Sequence, residues 1–428
     1  MDRTQQPKTK DLSEIGLLPV QRTVLPNGIP LMIINSEEQS VSRIDFMFGG
    51  GYWTQNQKLQ ALFTNSMLRE GTAKYTSSQV AEKFDFYGSM LELSLLPQYS
   101  YITAYCLNKY IEQTLGLLES IVEEPVFPEK EYAVLLNREL QKFQINSTQA
   151  KYATMRNLRN ALYGDAHPMG SRTTEADFDK LNTDMLRRYF DTHYNSNNCY
   201  IVLSGKITDR IVAQTEHFFG TAPFGNSQKS ITFPNFDIKI SDSKRIFEER
   251  SNSQQSSVKL GMHTIDQHHP DYHKFNVLVT ILGGYFGSRL MSNIREEKGY
   301  TYGIYSGFSH EPDSSLLIIT AEVSEQYVEP LIKEVYQEMD RLQNELVSEE
   351  ELTIVRNYMT GALCRTMELS FSAADVYQMQ FINHLSDSFL SDELKAIQMV
   401  TPQELQRLAC RYLCKENLKE VISGKKNL

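Results

Sequence analysis

The sequence predicts an α+β protein made twice: two homologous domains from an internal duplication, each an antiparallel sheet covered by helices. Three observations carry that expectation. At 428 residues the chain exceeds the roughly 250 to 300 residues at which one hydrophobic core stops growing. Segments then recur in order. ITAYCLNKYIE (102–112) returns as ITAEVSEQYVE (319–329), and NCYIVLSGK (198–206) returns as NLKEVISGK (417–425), at offsets of 217 and 219; an ordered repeat of this kind fixes the architecture. Finally, YSYITAYCL and SSLLIITAEV alternate with a period of two, the pattern of half-buried antiparallel strands.

In the first half, VLPNGIPLMIINSEEQSVSRIDFMFGGGYWTQ reads as a turn at Asn27 and Gly28, a strand, and a second strand that ends at Gly49 to Gly51. The helix LQALFTNSMLRE follows and stops at Gly71. Later in each half a helix starts with carboxylates, in VFPEKEYAVLL and in VSEEELTIVRN, where they suit the positive end of the helix dipole. Helical period is lost in FGNSQKSITFPNFDIKISDSK (224–244), which is polar and carries Gly and Pro. The expected organisation is therefore a domain over 1–223, a linker over 224–244 and a second domain over 245–428.

In the second half, ILGGYFGSRLMSNIREEKGYTYGIYS reads as a helix with Leu290, Met291 and Ile294 on its apolar face, ended by Gly299 and followed by a strand. On a regular strand Tyr300, Tyr302 and Ile304 share one face, and Thr301, Gly303 and Tyr305 the other. The bend at Gly299 brings Arg295, in the last helical turn, beside Tyr302. On pattern alone both residues have structural uses, since arginine suits a helix C-terminus and tyrosine suits a strand.

Composition excludes several classes of function. With 41% hydrophobic and 22% charged residues the chain is an ordinary globular protein, and a net charge of −10 argues against a nucleic-acid partner. No segment approaches the roughly 18 apolar residues of a membrane span, and MDRTQQPKTKDLSEIG has no apolar leader core. The five cysteines, Cys106, Cys199, Cys364, Cys410 and Cys414, lack CxxC spacing and read as free thiols. The expected compartment is cytoplasmic, with no membrane association.

The pattern L-x-N-G, two strands, a glycine cluster and a helix ending in M-L-x-x-G-T resembles the peptidase family with the inverted zinc motif, the insulinase, pitrilysin and mitochondrial-processing-peptidase group. HPDYHKFNVLVTILGGYFGSRLMSNIREEKGYTYGIYSGF resembles the second half of that family. Active members carry H-x-x-E-H on the first helix, where two histidines hold zinc and the glutamate acts as base. Aligned on Met67, Leu68, Gly71 and Thr72, those positions hold Leu62, Phe63, Thr64, Asn65 and Ser66. Leucine has no lone pair for a metal, a neutral serine hydroxyl is a poor zinc ligand, and an asparagine amide is no base near neutral pH. The resemblance makes Glu139 the counterpart of the third ligand. Standing alone it reads as a solvated or ion-paired helix carboxylate, because structural zinc sites need about four ligands acting together.

The same resemblance gives Arg295 and Tyr302, seven positions apart, the role of a clamp that reaches across a clamshell to the scissile region. A guanidinium offers five donors that do not deprotonate, and a phenol can donate to a carbonyl oxygen. Other motifs are weaker. GGYFGS lacks the phosphate-binding patterns, and Gly283, Gly284 and Gly287 suggest close backbone approach between domains or to a substrate strand. His263, His268, His269 and His273 cluster in sequence, but Pro270 at a helix start leaves His269 outside it, against a metal site. Ser288 has no partner at the spacing of a hydrolase triad.

The resulting expectation is a non-catalytic, substrate-binding subunit of a two-chain zinc metalloendopeptidase acting on small or unfolded polypeptides. It would be inactive alone and hold no cofactor, with zinc and base supplied by a homologous H-x-x-E-H partner in a heterodimer. A structural scaffold subunit, or a peptide-binding homodimer without proteolysis, is the alternative.

Overall fold

A computed structural model describes residues 18–37, 39–226 and 231–425. The N-terminal stretch read above as lacking a leader core, part of the proposed linker and the last three residues lie outside the described residues. Two sheets dominate. The first contains β1 (Val20–Val24), β2 (Pro30–Asn35), β3 (Val41–Gly49), β4 (Met90–Leu95), β5 (Tyr99–Leu107) and β6 (Cys199–Gly205), in the order β1-β2-β6-β3-β5-β4. The second contains β7 (Arg245–Glu249), β8 (Ser256–Thr264), β9 (Thr301–Glu311), β10 (Ser314–Val323) and β11 (Lys419–Gly424), in the order β7-β11-β8-β10-β9. Apart from β1 the two orders correspond strand for strand, and the recurring segments fall on β5 with β10 and on β6 with β11. Pairing is antiparallel except for one parallel pair in each sheet, β2 with β6 and β7 with β11. These pairs join strands far apart in sequence, which local alternation cannot orient.

The sheets do not keep their helices to themselves. One face of the first sheet, with Ile44, Phe46, Ile102 and Ala104, is buried under helices of its own half, in a core that includes Leu115, Leu118 and Phe219. The opposite face, with Met32, Ile34, Met47 and Val202, joins the core of the second half, and the Ser370–Ile382 helix packs on β2 and β6 there. Reciprocally, the Ala150–Tyr163 helix of the first half packs on β8 and β11, with Leu158, Leu162 and Tyr163 against Leu316 and Val421. Each of these buried aliphatic side chains contributes about 1.5 to 3 kcal/mol relative to exposure. The exchange adds to the expectation of a helix-covered sheet in each half: a sheet that is apolar on both faces needs two helical layers, and its own half supplies one.

Residues 231–241 have no regular secondary structure, yet they are pinned. Lys239 N–H donates to Tyr163 O at 3.0 Å and Ser241 N–H to Ala161 O at 2.8 Å, while the Phe236 ring meets Trp53 edge-on at 5.4 Å.

Candidate functional site

The helix Gln60–Met67 carries the five residues, Leu62 to Ser66, that the resemblance aligns with the zinc motif. Its entry is stapled: Leu59 adopts φ 71, Gln60 Nε2 donates to Met185 O at 2.8 Å, and Asn56 N–H donates to Gln60 Oε1 at 3.1 Å. Leu62 and Ser66, one turn apart, are the half-buried residues of an otherwise buried helix. Leu62 lines a cleft of about 460 Å³ together with Tyr52, Trp53, Leu59, Leu95 and Pro168. Asn65 points the other way and is 2% exposed. Its amide nitrogen donates to Ser94 O at 2.8 Å and Tyr101 O at 3.4 Å, and its oxygen accepts from the Tyr194 hydroxyl at 3.1 Å. Where the family's base would stand, an amide ties the helix to the paired residues Ser94 of β4 and Tyr101 of β5.

Glu139 lies on the Glu129–Ser147 helix, which packs against the Gln60–Met67 helix. Its carboxylate oxygens stand 3.6 Å from Arg138 Nε and 3.6 Å from Lys142 Nζ. These residues do not fit a zinc ion. Leu62 offers no donor, Asn65 is consumed by hydrogen bonds within the fold, and Glu139 is ion-paired. Among the described residues no group of three or more His, Cys, Asp or Glu side chains converges to hold a metal.

The histidines of the second half are each engaged separately. His263 Nε2 lies 2.9 Å from Leu162 O, His269 Nδ1 accepts from Asp271 N–H at 3.0 Å, and the His273 ring packs 4.5 Å from that of Phe389. Burial pushes His263 and His273 below the usual imidazole range, and His268 is exposed. The Tyr272–Val279 helix begins after Pro270, with His269 outside it. Ser288 is buried.

Arg295 and Tyr302 flank the bend. Residues Met291–Glu297 form a π-helical turn, closed by Lys298 N–H to Asn293 O at 3.0 Å and Tyr300 N–H to Ile294 O at 3.0 Å. Gly299 has φ +67, the left-handed conformation that closes helices and favours glycine. β9 then departs from regular alternation. Ala321 faces Ile304 but Val323 faces Thr301, so Tyr302 and Gly303 together oppose Glu322. Thr301 fills this β-bulge, donating through its hydroxyl to Glu322 O at 2.7 Å and accepting from Gly303 N–H at 3.1 Å. The shared face expected for Tyr302 and Ile304 is therefore corrected: Ile304 is buried and Tyr302 is 91% exposed.

Two other polar side chains of this corner are paired with carboxylates, Arg289 through Nε and Nη2 to Glu351 at 2.9 Å and Asn293 through its amide nitrogen to Glu338 at 2.7 Å. Arg295 makes no side-chain hydrogen bond among the described residues. Its guanidinium lies 4.5 Å from the centroid of the Phe286 ring, with the Glu296 carboxylate at 3.8 Å. The close approach expected at Gly283 is also corrected, because it falls within the half: a Cβ there would stand 2.7 Å from Ser306 N of β9.

Two features escaped the sequence reading. One is Phe286. The other is a polar network beneath the exchanged helix, where the wholly buried Asp45 accepts from Thr103 Oγ1 at 2.6 Å and Gln378 Nε2 at 2.9 Å and pairs with Arg43 at 2.9 Å. Arg43 in turn meets Asp375 at 2.7 Å. Burial raises the Asp45 carboxyl, opposed by Arg43 and these hydrogen bonds. The signal was present in SRIDF, since charges two apart on a central strand share a face.

The family described as Insulinase (Peptidase family M16) matches residues 31–174, and the one described as Peptidase M16 inactive domain matches residues 180–359. The chain is 23% identical to a Bacillus subtilis protein named uncharacterized zinc protease YmxG, over 82% of this chain and 85% of that one. It is 22% identical to a Helicobacter pylori protein named non-peptidase homolog YmxG, over 84% and 83%. Among solved structures, a peptidase M16 inactive domain from Pseudomonas fluorescens superimposes with a TM-score of 0.84 at 22% identity, covering 96% of this chain and 99% of that one.

Proposed function

Because the chain belongs to the insulinase family of peptidases, M16, and lacks that family's metal donors, we propose that it is the non-catalytic, substrate-binding subunit of a two-chain zinc endopeptidase. The partner is a homologous chain bearing H-x-x-E-H, which supplies the metal and the base. The observation that carries this reading is the fate of Asn65: at the position of the base, the side chain is built into the sheet, while Leu62 beside it presents hydrocarbon. The designation of the H. pylori relative as a non-peptidase homolog points the same way. That of the B. subtilis relative as a zinc protease does not carry over to a chain with Leu62 and Ser66 at the ligand positions.

This chain's part is to hold peptide. β9 is an edge strand of its sheet, and an edge offers backbone groups to an added strand with little sequence choice. Arg295 and Tyr302, at the start of that edge, donate to peptide carbonyl oxygens, which suits small or unfolded polypeptides. Cytoplasmic residence agrees with five free thiols.

The test is reconstitution. The chain is purified alone and with an H-x-x-E-H chain encoded beside it, and hydrolysis of an unfolded polypeptide is followed. Activity only in the mixture, falling by about 10² to 10³ on Arg295→Ala as for loss of an oxyanion donor, supports the reading. Zinc and hydrolysis in the isolated chain would refute it, and mixed activity indifferent to Arg295→Ala and Tyr302→Phe leaves a scaffold role.

A further inference from the structure

We propose that Phe286 is a positioning residue that holds the Arg295 guanidinium ready for peptide, an inference that rests on the substrate-binding reading above. Phe286 is 59% exposed, so its ring gains little from burial where it stands. What it touches is the Arg295 guanidinium, 4.5 Å from its centroid. The loop presenting it has little freedom. Tyr285, the preceding residue, packs against Tyr358 with the rings tilted and their centroids 5.0 Å apart, and Ser288 N–H donates to Tyr285 O at 3.1 Å. A Cβ on Gly287 would meet the Tyr285 ring at 2.8 Å, and one on Gly283 would meet the β9 backbone at 2.7 Å.

The chemistry distinguishes an aromatic support from a carboxylate. Arg289 shows the carboxylate case: its Nε and Nη2 donors are both spent on Glu351, and its charge is answered. A ring face attracts the guanidinium through its quadrupole while the in-plane N–H donors stay free, and the Glu296 carboxylate at 3.8 Å is a loose ion pair that takes none of them in a hydrogen bond. Arg295 thus keeps its donors for a peptide carbonyl. It also arrives with its long stem already ordered, which lowers the side-chain entropy lost on binding. The aromatic ring therefore does what a carboxylate could not do without blocking the site.

Two measurements on the full-length chain separate this inference from the reading beneath it. In the isolated chain labelled with ¹⁵N-arginine, the Arg295 Nε–H resonance, assigned by its loss in Arg295→Lys, is expected to show an upfield ring-current shift. That shift should vanish in Phe286→Leu and persist in Phe286→Trp. In the reconstituted mixture, Phe286→Leu should raise KM about two- to fivefold with kcat little changed, Phe286→Trp should restore it, and Phe286→Leu should add nothing to Arg295→Ala. Absence of the ring-current shift overturns the inference. So does unchanged hydrolysis in Phe286→Leu while Arg295→Ala is impaired, which leaves the clamp intact. Hydrolysis indifferent to Arg295→Ala overturns the clamp itself and the inference with it.

Discussion

The Gln60–Met67 helix and the corner between Met291 and β9 are the two places that the resemblance marks as candidates for chemistry, and Asn65 in the first and Arg295 and Tyr302 in the second are treated in opposite ways. In the first, the amide of Asn65 is buried and satisfied from both ends by Ser94, Tyr101 and Tyr194. In the second, a β-bulge turns the Tyr302 phenol into solvent and Arg295 is held only by a ring face and a loose ion pair. A polar group absorbed by the fold stabilises it and is lost to chemistry. One that is left without partners costs little at the surface and remains available.

That contrast can be broken by experiment, and the largest effect is expected at Asn65. Asn65→Glu removes two donations to backbone carbonyls and sets a buried carboxylate against their oxygens, which should lower stability by about 2 to 4 kcal/mol in urea unfolding. An unchanged midpoint would mean that the amide is no strut.

Acid sharpens the comparison by testing one desolvated imidazole in each half, buried at His193 and partly buried at His310. Burial holds His193 and His310 down to about 4, whereas an unfolded histidine titrates near 6.5. Between those values the unfolded chain binds the extra protons, so the stability from the neutral rings is complete above about pH 6.5 and is lost as pH falls toward 4. Each should contribute about 1 to 3 kcal/mol of that loss. Urea midpoints measured across the window should flatten in His193→Gln and in His310→Gln, and equal slopes in the parent and both variants would contradict the assignment.

A smaller effect tests the bulge. Thr301→Val removes the hydroxyl that bridges Gly303 N–H and Glu322 O and should cost about 1 to 2 kcal/mol, with faster amide exchange at Gly303 as its local signature. The smallest is at Tyr302, whose ring is 91% exposed. Tyr302→Phe should leave the unfolding midpoint where it was while lowering hydrolysis in the reconstituted mixture; a shifted midpoint would assign the phenol to the fold instead.

The duplication was legible because repeated segments preserve composition and order, and the strands paired as β5 with β10 and β6 with β11 follow from it directly. So was the missing donor set, since no folding can give Leu62 a lone pair. The burial of Asn65 was not legible: its partners Ser94, Tyr101 and Tyr194 come from three other segments, and sequence spacing says nothing of such convergence. Tyr302 was misplaced on its strand because alternation assumes regular pairing, although Gly303 within the strand was the available hint of a bulge.

The sequence by itself determined that two similar α+β halves exist, that Leu62, Thr64, Asn65 and Ser66 bring no histidine or carboxylate donor to the first helix, and that an arginine and a tyrosine stand seven residues apart around a glycine. Residue chemistry and local period are properties of the chain and survive any packing. The tertiary structure alone decided that the halves exchange helices, that Asn65 becomes a strut, and that Phe286 lies against Arg295. The first two depend on which distant surfaces meet, settled by burying both faces of each sheet at once; the third, between residues nine apart, depends on the path of the π-helical turn that carries Arg295.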